Sequence, residues 1–439
     1  MNDSQLSNFV LGQPREASGG VVDFDGWSLP ASTSDDVAFA LKALRAQPRI
    51  EIGHGVEALA RMGARADWIT DEQLALISHR TGSAIKYLRH SIARLNEWLA
   101  QLPETLKYHG HVTPYGFRTD RGMWSGDLTT SLVLAGDATA VGPLALAHSV
   151  IAGARTIAKG SRREPLAPYL FLRALAAEGV PVPQLLFFDS SSGEGHPLLA
   201  TMLAATQQSV VYGADSTINA IYKGADVSPA HKMVGFWAGR SGVLVLPDAD
   251  PVEAGRAIAI GTAEDRGNRC VSTMKAFVPA SLEAEVTESL LAAARGFRRG
   301  RPDDGGVDIG ELPEQTRQEA LAATSGARVL FSDDAIFATT TSDHYLLREE
   351  LPYPVCCIRV YSGDEDPVDL TNSSTADSDN GRALELAVFT KSQRNFEDVL
   401  CRTTACKVMH NKATTDLDHT TTHQGIYLFR EMMRFCAEM

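Results

Sequence analysis

Cysteine is scarce in this 439-residue chain and is absent from its first 269 residues. No two cysteines have the CxxC spacing, which argues against a structural zinc site, and their number and distribution do not suggest a disulfide framework. The sequence therefore predicts a protein of the reducing cytoplasm. The six cysteines are Cys270, Cys356, Cys357, Cys401, Cys406 and Cys436.

Long apolar runs and an excess of positive charge are also missing. No apolar run approaches the ~18–20 residues that a membrane helix needs, and the N-terminal residues lack the basic and apolar stretches of a signal peptide. The net charge of −13 argues against nucleic acid or an acidic membrane surface as the main partner. A local basic cluster can still bind a negatively charged cofactor.

The glycine fingerprint GxGxxG of dinucleotide-binding proteins does not occur either, so a nucleotide cofactor needs other support. The histidines show no metal-ligand spacing, and no metal site is predicted. Surface positions or satisfied core positions are expected for them. The histidines considered are His109, His231, His410, His419 and His423.

Hydrophobic periodicity divides the chain into a helical part and an alternating part. Residues 36–103 repeat apolar side chains at helical spacing. Beyond them, short apolar strands such as Arg155–Lys159 alternate with helices, which indicates a parallel sheet covered on both faces. A second α/β unit begins near residue 240. Residues 1–35 and 363–382 have little periodicity, and we expect irregular structure there.

Short motifs of the alternating part follow one another in a defined order. They are Tyr108–Gly110, Gly136, Pro143–Leu144, Ala154–Lys159, Pro165–Leu166, Ala176–Pro181, Val211–Gly213, Ala238–Ser241, Asp248–Asp250, Arg266–Cys270, Glu349–Val355, Leu386–Thr390 and Asn411. Together they resemble the aldehyde dehydrogenase superfamily over about residues 108–411. The stretches Val210–Gly213 and Gly239–Ser241 look closest to its acyl-CoA reductase branch, which includes the fatty-acid reductases of bacterial bioluminescence.

The resemblance implies an α/β fold with a Rossmann-like cofactor domain, an α/β catalytic domain and a small β bridging element. It places residues 1–107 and 127–238 in the cofactor domain, with 1–107 as its helical part. Residues 108–126 become a bridging hairpin, 239–411 the catalytic domain and 412–439 a C-terminal tail. Family members usually pair through such bridging strands, so a homodimer or homotetramer is expected.

Cys270 falls where the family places its catalytic nucleophile, just after the polar stretch Arg266–Asn268. A thiolate there can attack a carbonyl carbon and form a covalent intermediate. By the resemblance, the backbone N–H of the nucleophile is one of the oxyanion donors. The alternative for a free cysteine is a small buried core residue, but the surrounding motifs favour the nucleophile.

Two family residues that assist the nucleophile are missing. The asparagine that donates to the oxyanion is absent from Thr139–Pro143, and the glutamate that activates water aligns with Phe236, which cannot act as a general base. This loss suits an acyl group that arrives and leaves on a thiol. Glu264 and Asp265 are candidate replacement bases, although a solvated helix end is the more ordinary role for them.

By the same resemblance, five residues bind a nicotinamide dinucleotide. Lys159 holds the adenosine ribose, Gly213 lets the backbone approach the pyrophosphate, and Glu350 grips the nicotinamide ribose. Arg162, with Arg163 beside it, stands where NAD-preferring members often carry a glutamate. Because guanidinium groups can bind a 2′-phosphate, NADP(H) is predicted over NAD(H). The alternative is that both arginines only solvate a helix start.

The sequence thus predicts NADPH-dependent reduction of an acyl thioester, on CoA or a carrier protein, to an aldehyde through an acyl-Cys270 intermediate. One alternative is NAD(P)-dependent oxidation of an aldehyde to the acid with a relocated base. Another is a catalytically weak family member that acts as a binding or scaffold subunit. The missing asparagine raises that possibility, as does Pro352 in place of the aromatic residue that packs near the nicotinamide.

Overall fold

The computed structural model describes residues 5–24, 26–136, 138–189, 195–224, 226–333, 335–376, 381–416, 419 and 422–438. The helices are α1 Ser34–Ala46, α2 Ile52–Arg65, α3 Asp71–Thr81, α4 Ile85–Ala100, α5 Leu102–Thr105, α6 Val141–Ile151, α7 Leu166–Ala177, α8 Gly195–Ala204, α9 Asp215–Gly224, α10 Pro251–Ala263, α11 Glu283–Arg295, α12 Glu314–Ala322, α13 Pro367–Ala376, α14 Gln393–Arg402 and α15 Leu428–Glu431. The strands are β1 Asn8–Val10, β2 Gln13–Arg15, β3 Val21–Phe24, β4 Trp27–Pro30, β5 His111–Thr113, β6 Gly116–Thr119, β7 Gly122–Ser125, β8 Thr129–Val133, β9 Arg155–Lys159, β10 Gln184–Leu186, β11 Gln208–Tyr212, β12 Lys232–Phe236, β13 Gly242–Val245, β14 Lys275–Pro279, β15 Arg299–Gly300, β16 Ile309–Gly310, β17 Arg328–Ser332, β18 Ile336–Thr340, β19 Val355–Tyr361, β20 Glu385–Phe389, β21 Lys407–His410 and β22 Arg434–Ala437.

The first large sheet has the strand order β12–β11–β8–β9–β10–β1–β2. Strands β8 to β12 run parallel, whereas β1 and β2 add antiparallel at the β10 edge. The chain builds outward from β8 to β10 and then crosses over to form β11 and β12. Ligands of such sheets bind beyond the carboxyl ends of the strands, where the order reverses. In this sheet that point lies between β8 and β11.

The second large sheet has the order β17–β18–β19–β14–β13–β20–β21, parallel except for β17. Buried side chains of α10 and α11 pack on one face, and those of α13 and α14 pack on the other. Helices on both faces explain why the central strands β13, β14, β18 and β20 are buried at every position rather than at alternate ones. The predicted α/β architecture with two parallel sheets is therefore confirmed.

A third, four-stranded sheet has the order β22–β7–β6–β5. The hairpins β5–β6–β7 lie within residues 108–126, which were predicted to form a bridging hairpin. The last strand of the chain joins them, with Phe435 opposite Trp124 across an antiparallel ladder. The C-terminal tail therefore belongs to this sheet. No helix of the described ranges is long and apolar enough to cross a membrane.

The described residues of two segments expected to be irregular form helix or strands, so those two predictions are wrong for that part of the chain. The N-terminal one contains β1 to β4 and buries Phe9 and Trp27. Strands of three or four residues are too short to show a clear alternation in sequence. The other contains α13, which begins where Asp366 accepts hydrogen bonds from the amides of Val368 and Asp369. Its Ser, Thr and Asn residues have low helix propensity, but tertiary packing overrides it.

Candidate active site

Two cavities meet at Cys270. The outer one has a volume of about 800 Å³, and the inner one a volume of about 90 Å³. Tyr212, Phe236 and His423 line both cavities together with Cys270. The predicted nucleophile therefore stands at the junction of a large cleft and a small enclosed space.

The loop that carries Cys270 follows a turn of unusual backbone conformation. Asp265, Arg266 and Gly267 have φ values of 54°, 60° and 68°, in the left-handed region that costs an ordinary L-residue roughly 1–2 kcal/mol. Arg266 Nη1 donates to the carbonyl of Thr81 at 2.8 Å, which helps to hold the turn. Strained backbone of this kind clusters at functional sites.

The start of β13 fixes the carbonyl group of Cys270. Ser241 Oγ donates to that oxygen at 3.1 Å and accepts from the amide of Glu385, also at 3.1 Å. Gly239 lies so close to Cys270 that no side chain fits between them. Cys270, the predicted nucleophile, is thus held through its backbone at the point where it lines both cavities.

Burial raises the pKa of the Cys270 thiol to about 12, the charges of Glu350 and Glu385 add to the rise, and Arg269 opposes it. Cys270 lies in a turn before β14 and not at a helix start, so no helix dipole lowers this pKa. The thiol is therefore protonated at neutral pH and becomes nucleophilic only when a base removes its proton.

An aromatic column occupies the position of the family's water-activating glutamate. Phe236 stacks on Tyr212 with ring centroids 4.5 Å apart, and His423 stacks on Phe236 at 5.2 Å. Where the oxyanion asparagine is missing, the buried Thr139 brings a hydroxyl group to the wall of the inner cavity. The backbone N–H of Cys270 faces its own sulfur, where an oxyanion on a bound carbonyl would form.

The two acids considered as replacement bases are not solvated, so the expectation of a solvated helix end is wrong. Both are buried because the left-handed turn folds them inward. Glu264 Oε1 pairs with Arg269 Nη1 at 3.0 Å, so this carboxylate is already engaged in a buried ion pair. Asp265 lines the inner cavity, and burial raises the pKa of its carboxyl group.

Three of the residues predicted to bind the cofactor line the outer cavity. These are Arg163, Gly213 and Glu350. Glu350 Oε2 accepts a hydrogen bond from the amide of Gly239 at 3.2 Å. A Cβ on Gly213 would lie 3.4 Å from Thr217, an ordinary contact. Packing therefore does not require glycine at this position.

Lys159 and Arg162 lie at the end of β9 but are not among the residues that line the outer cavity. Burial, reinforced by the charge of Arg162, lowers the pKa of Lys159 to about 8. The guanidinium of Arg162 pairs with Asp189 at 2.5 Å and lies 4.1 Å above the ring of Phe24. An acid therefore offsets the positive charge on which the predicted NADP(H) preference depends.

The outer cavity fits a dinucleotide in place and size, and it offers one unpaired donor. Its wall includes Ala135 and Gly213, directly beyond β8 and β11 at the reversal of strand order, and its volume is in the range of ligand sites. Arg240, another wall residue, pairs with Asp215 and donates to the carbonyl of Arg348. Its buried Nη1 has no hydrogen-bond partner among the described residues, so it can serve an anionic or carbonyl group of a ligand.

The inner cavity contains residues that the sequence did not single out as a site. Four of its histidines have a pKa lowered by burial, to about 3 for His148 and to about 4 for His109, His419 and His423. They are neutral at neutral pH. Two of these histidines, His419 and His423, come from the C-terminal tail, which the sequence motifs did not cover. The density of His, Tyr and Phe between residues 419 and 429 was the signal in the sequence that could have found them.

No group of three or more His, Cys, Asp or Glu in the described ranges could hold a metal ion.

Comparisons with known proteins agree with this geometry. The model of the aldehyde dehydrogenase family matches residues 139–427. A geranial dehydrogenase of Castellaniella defragrans is 22% identical over 246 residues, which cover 52% of this chain and 51% of that protein. A vanillin dehydrogenase of Pseudomonas fluorescens is 32% identical over 170 residues, which cover 34% of this chain and 35% of that protein. The chain thus spans about half, or less, of the curated relatives it matches.

The fold matches over a longer range than the sequence does. The crystal structure of an NAD-dependent aldehyde dehydrogenase from Sinorhizobium meliloti superposes with a TM-score of 0.81 at 19% identity, covering 99% of this chain and 94% of that one. The relatives are general aldehyde dehydrogenases, and these matches do not single out the acyl-CoA reductase branch.

Proposed function

This chain belongs to the aldehyde dehydrogenase family, and on that premise we propose that it oxidises an apolar aldehyde to the carboxylic acid, with NAD(P)⁺ as the oxidant. The observation that carries the proposal is the position of Cys270 between two cavities. One has the size and location of a dinucleotide site, and the other has the character of a small substrate pocket.

The substrate class follows from the walls of the inner cavity. They are largely apolar and aromatic, and include Trp98, Leu102, Leu144, Tyr427 and Phe429. Such walls favour an aldehyde with a hydrocarbon or aromatic body, because burying that body is the main source of binding energy. The names of the related geranial and vanillin dehydrogenases support this class.

Covalent catalysis begins at the sulfur of Cys270. The Cys270 sulfur adds to the carbonyl carbon as its proton passes to the carbonyl oxygen, which gives a thiohemiacetal. The Cys270 amide would donate to that oxygen, and the hydroxyl of Thr139, a residue of the inner cavity wall, is the second candidate donor. The nicotinamide, when bound, supplies the hydride acceptor that turns this adduct into a thioester. Water then cleaves the thioester and returns the free thiol. Both cavities reach Cys270, so carbonyl substrate and nucleotide approach the sulfur from different sides.

The cofactor is held by residues around the outer cavity. Gly213 and Arg163 would face the phosphates, Glu350 a ribose, and Arg240 Nη1 an acceptor atom of the nucleotide. The preference for NADP(H) over NAD(H) stays a prediction that rests on Arg162 and Arg163. The pairing of Arg162 with Asp189 weakens it.

Reduction of an acyl thioester is the second candidate function. Phe236 favours it, because a buried phenyl ring at the position of the water-activating glutamate cannot promote hydrolysis. The inner cavity also holds buried acids, however, and these can take over that role. Aldehyde oxidation with a relocated base is therefore the leading proposal, and a non-catalytic scaffold role is the remaining alternative.

A panel of aliphatic and aromatic aldehydes with NAD⁺ and NADP⁺ tests the proposal, with nucleotide reduction and the acid product measured. We expect activity that is lost in Cys270→Ala and kept in Cys401→Ser, which changes an exposed cysteine. A parallel arm supplies acyl-CoA thioesters and NADPH. Faster turnover in that arm than with any aldehyde would replace the proposal by the reductase. Nucleotide binding without turnover in either arm would favour the scaffold.

We also propose that the chain forms a homodimer or homotetramer through its four-stranded sheet. Strand β5 stands at the outer edge of that sheet, where another strand can add. Light scattering coupled to size-exclusion chromatography measures the mass. A monomer at micromolar concentration would contradict this proposal.

A further inference from the structure

Glu385, the first residue of β20, lines the inner cavity together with Cys270. Its residue exposure is 1%, which is rare for a carboxylate that is not fully paired. Oε1 lies 3.8 Å from Lys407 Nζ. Oε2 is buried and accepts no hydrogen bond from any residue of the described ranges. This acid therefore keeps one buried oxygen without a hydrogen-bond partner among the described residues, at the wall of the cavity that contains Cys270.

The backbone ties Glu385 to the nucleophile. The Glu385 amide donates to Ser241 Oγ, and the Ser241 hydroxyl donates to the carbonyl of Cys270. Two hydrogen bonds thus fix the position of this acid relative to the reacting sulfur. The cavity volume of about 90 Å³ holds several waters, since one water needs roughly 10–15 Å³ on this measure.

We propose that Glu385 is the general base that activates water for hydrolysis of the acyl-Cys270 thioester. This inference rests on the proposed aldehyde oxidation, because only that reaction requires water at the thioester. The carboxylate replaces, from another strand, the one that the family places at Phe236. It is a catalytic residue in the strict sense, since it would contact the attacking water.

The step balances in atoms and protons. As water attacks, its oxygen bonds to the acyl carbon and one of its protons moves to Glu385 Oε2. The carbon–sulfur bond then breaks, the acid leaves, and the proton on Glu385 passes to the Cys270 thiolate. No electrons are gained or lost in this half of the reaction.

The charges around Glu385 suit this role. Burial raises the pKa of Glu385 to about 7, Lys407 and Arg269 lower it, and Asp416 raises it. A base whose pKa lies near the working pH can both take up and release a proton during turnover. The carboxylate form increases as the pH rises through this value, so deacylation should become faster over the same range.

Other groups of the inner cavity fit the role less well. Asp265 also has a buried oxygen, Oδ1, without a hydrogen-bond partner among the described residues. Its carboxylate nevertheless accepts a hydrogen bond from Ser83, and the residue sits within the left-handed turn. His423 has a ring face committed to Phe236, and burial and Lys407 lower its pKa to about 4, which makes it a weak base.

Rapid mixing of wild type and Glu385→Gln with an accepted aldehyde and NAD(P)⁺ tests the inference, with Asp265→Asn as the rival buried acid. Glu164→Gln is the matched control, because Glu164 is buried, burial raises its pKa to about 7, and it is not among the residues that line either cavity. In wild type, the first turnover reports the aldehyde oxidation itself. In Glu385→Gln we expect a burst of reduced nucleotide close to the concentration of active sites. A steady rate about 10²–10⁴-fold below that of wild type should follow. Mass spectrometry should find the acyl group on Cys270, and added hydroxylamine should restore turnover as the hydroxamate.

The outcomes separate the two proposals. No reduced nucleotide in wild type would overturn the aldehyde oxidation, whatever the variants do. A wild-type steady rate in Glu385→Gln, or a loss as large in Asp265→Asn or in Glu164→Gln, would overturn the role of Glu385 alone. The burst amplitude counts folded active sites, so a misfolded variant is recognised by a small burst. The rise of the steady rate with pH near 7 should be absent in Glu385→Gln.

Discussion

A Cβ atom on Gly239 would lie 1.5 Å from the carbonyl oxygen of Cys270. The chain therefore passes from β12 of the first sheet to β13 of the second sheet in direct backbone contact with Cys270. The amide of the same glycine donates to Glu350. One residue without a side chain thus aligns Cys270, the proposed nucleophile, with Glu350 in the wall of the outer cavity.

Gly239→Ala tests this contact. The methyl group must push the Cys270 loop away, and a displacement near 1 Å of a reacting group costs about 10²-fold in rate. We expect kcat/KM for aldehyde oxidation to fall by that factor, with the folded state retained by circular dichroism. Gly53→Ala is the matched control, since a Cβ there meets nothing within 4 Å. Equal activity of the two variants would contradict the contact.

Gly213→Ala tests whether glycine is needed at this position for the approach of the cofactor rather than for packing within the protein. A Cβ at this position is tolerated by the protein, so the variant should melt like wild type without ligand. If the pyrophosphate of the nucleotide passes close to Gly213, the methyl group should raise the Kd for NAD(P)⁺ about tenfold, or ~1.4 kcal/mol. Thermal shift against nucleotide concentration measures this change. An unchanged shift would place the nucleotide elsewhere.

Asp189→Asn tests the basis of cofactor choice. Removing the carboxylate that pairs with Arg162 leaves the guanidinium available for a 2′-phosphate. We expect the ratio of Kd for NAD⁺ to Kd for NADP⁺ to rise roughly tenfold, equivalent to ~1.4 kcal/mol. Asp189→Asn combined with Arg162→Gln should return the ratio to or below that of wild type. If the single variant leaves the ratio unchanged, Arg162 does not contact the ribose region.

The raised pKa of Cys270 predicts slow alkylation of the free enzyme. Because the thiol titrates near 12, its thiolate fraction should rise about tenfold for each pH unit through the neutral range. Glu350→Gln removes a charge that raises this pKa, so alkylation at fixed pH should become faster. Iodoacetamide labelling followed by peptide mass spectrometry measures both. The exposed Cys401 is the internal reference, and a slower reaction in the variant would contradict the electrostatic argument.

Much of the architecture could be predicted because apolar strands and helices leave a strong periodic signal. Strand β9 and the long helix α4 are examples, since buried residues recur along both at the expected spacing. The short strands β1 to β4 escaped prediction because three or four residues form no period. Helix α13 escaped because packing against the second sheet, rather than helix propensity, stabilises it.

The sequence motifs select four residues that share one cavity. Cys270, Gly213, Arg163 and Glu350 line the outer cavity, while their chemical roles stay predictions. Glu385 was not predicted, because its role depends on a partner strand, a cavity and an unpaired oxygen that are only visible in three dimensions. Likewise, nothing in the sequence links Arg162 to Asp189 or folds Asp265 inward. These interactions join distant segments.

The C-terminal tail contacts the inner cavity, the first sheet and the four-stranded sheet, which no sequence motif links. His423, Tyr427 and Phe429 close the inner cavity, the carbonyl of Met432 accepts a hydrogen bond from Gln208 Nε2 of the first sheet at 3.0 Å, and β22 completes the four-stranded sheet. Fewer than twenty residues thus contact three parts of the molecule. A substitution in this segment is therefore expected to alter the inner cavity and the four-stranded sheet together, so a change in ligand binding there must be read beside a measurement of stability.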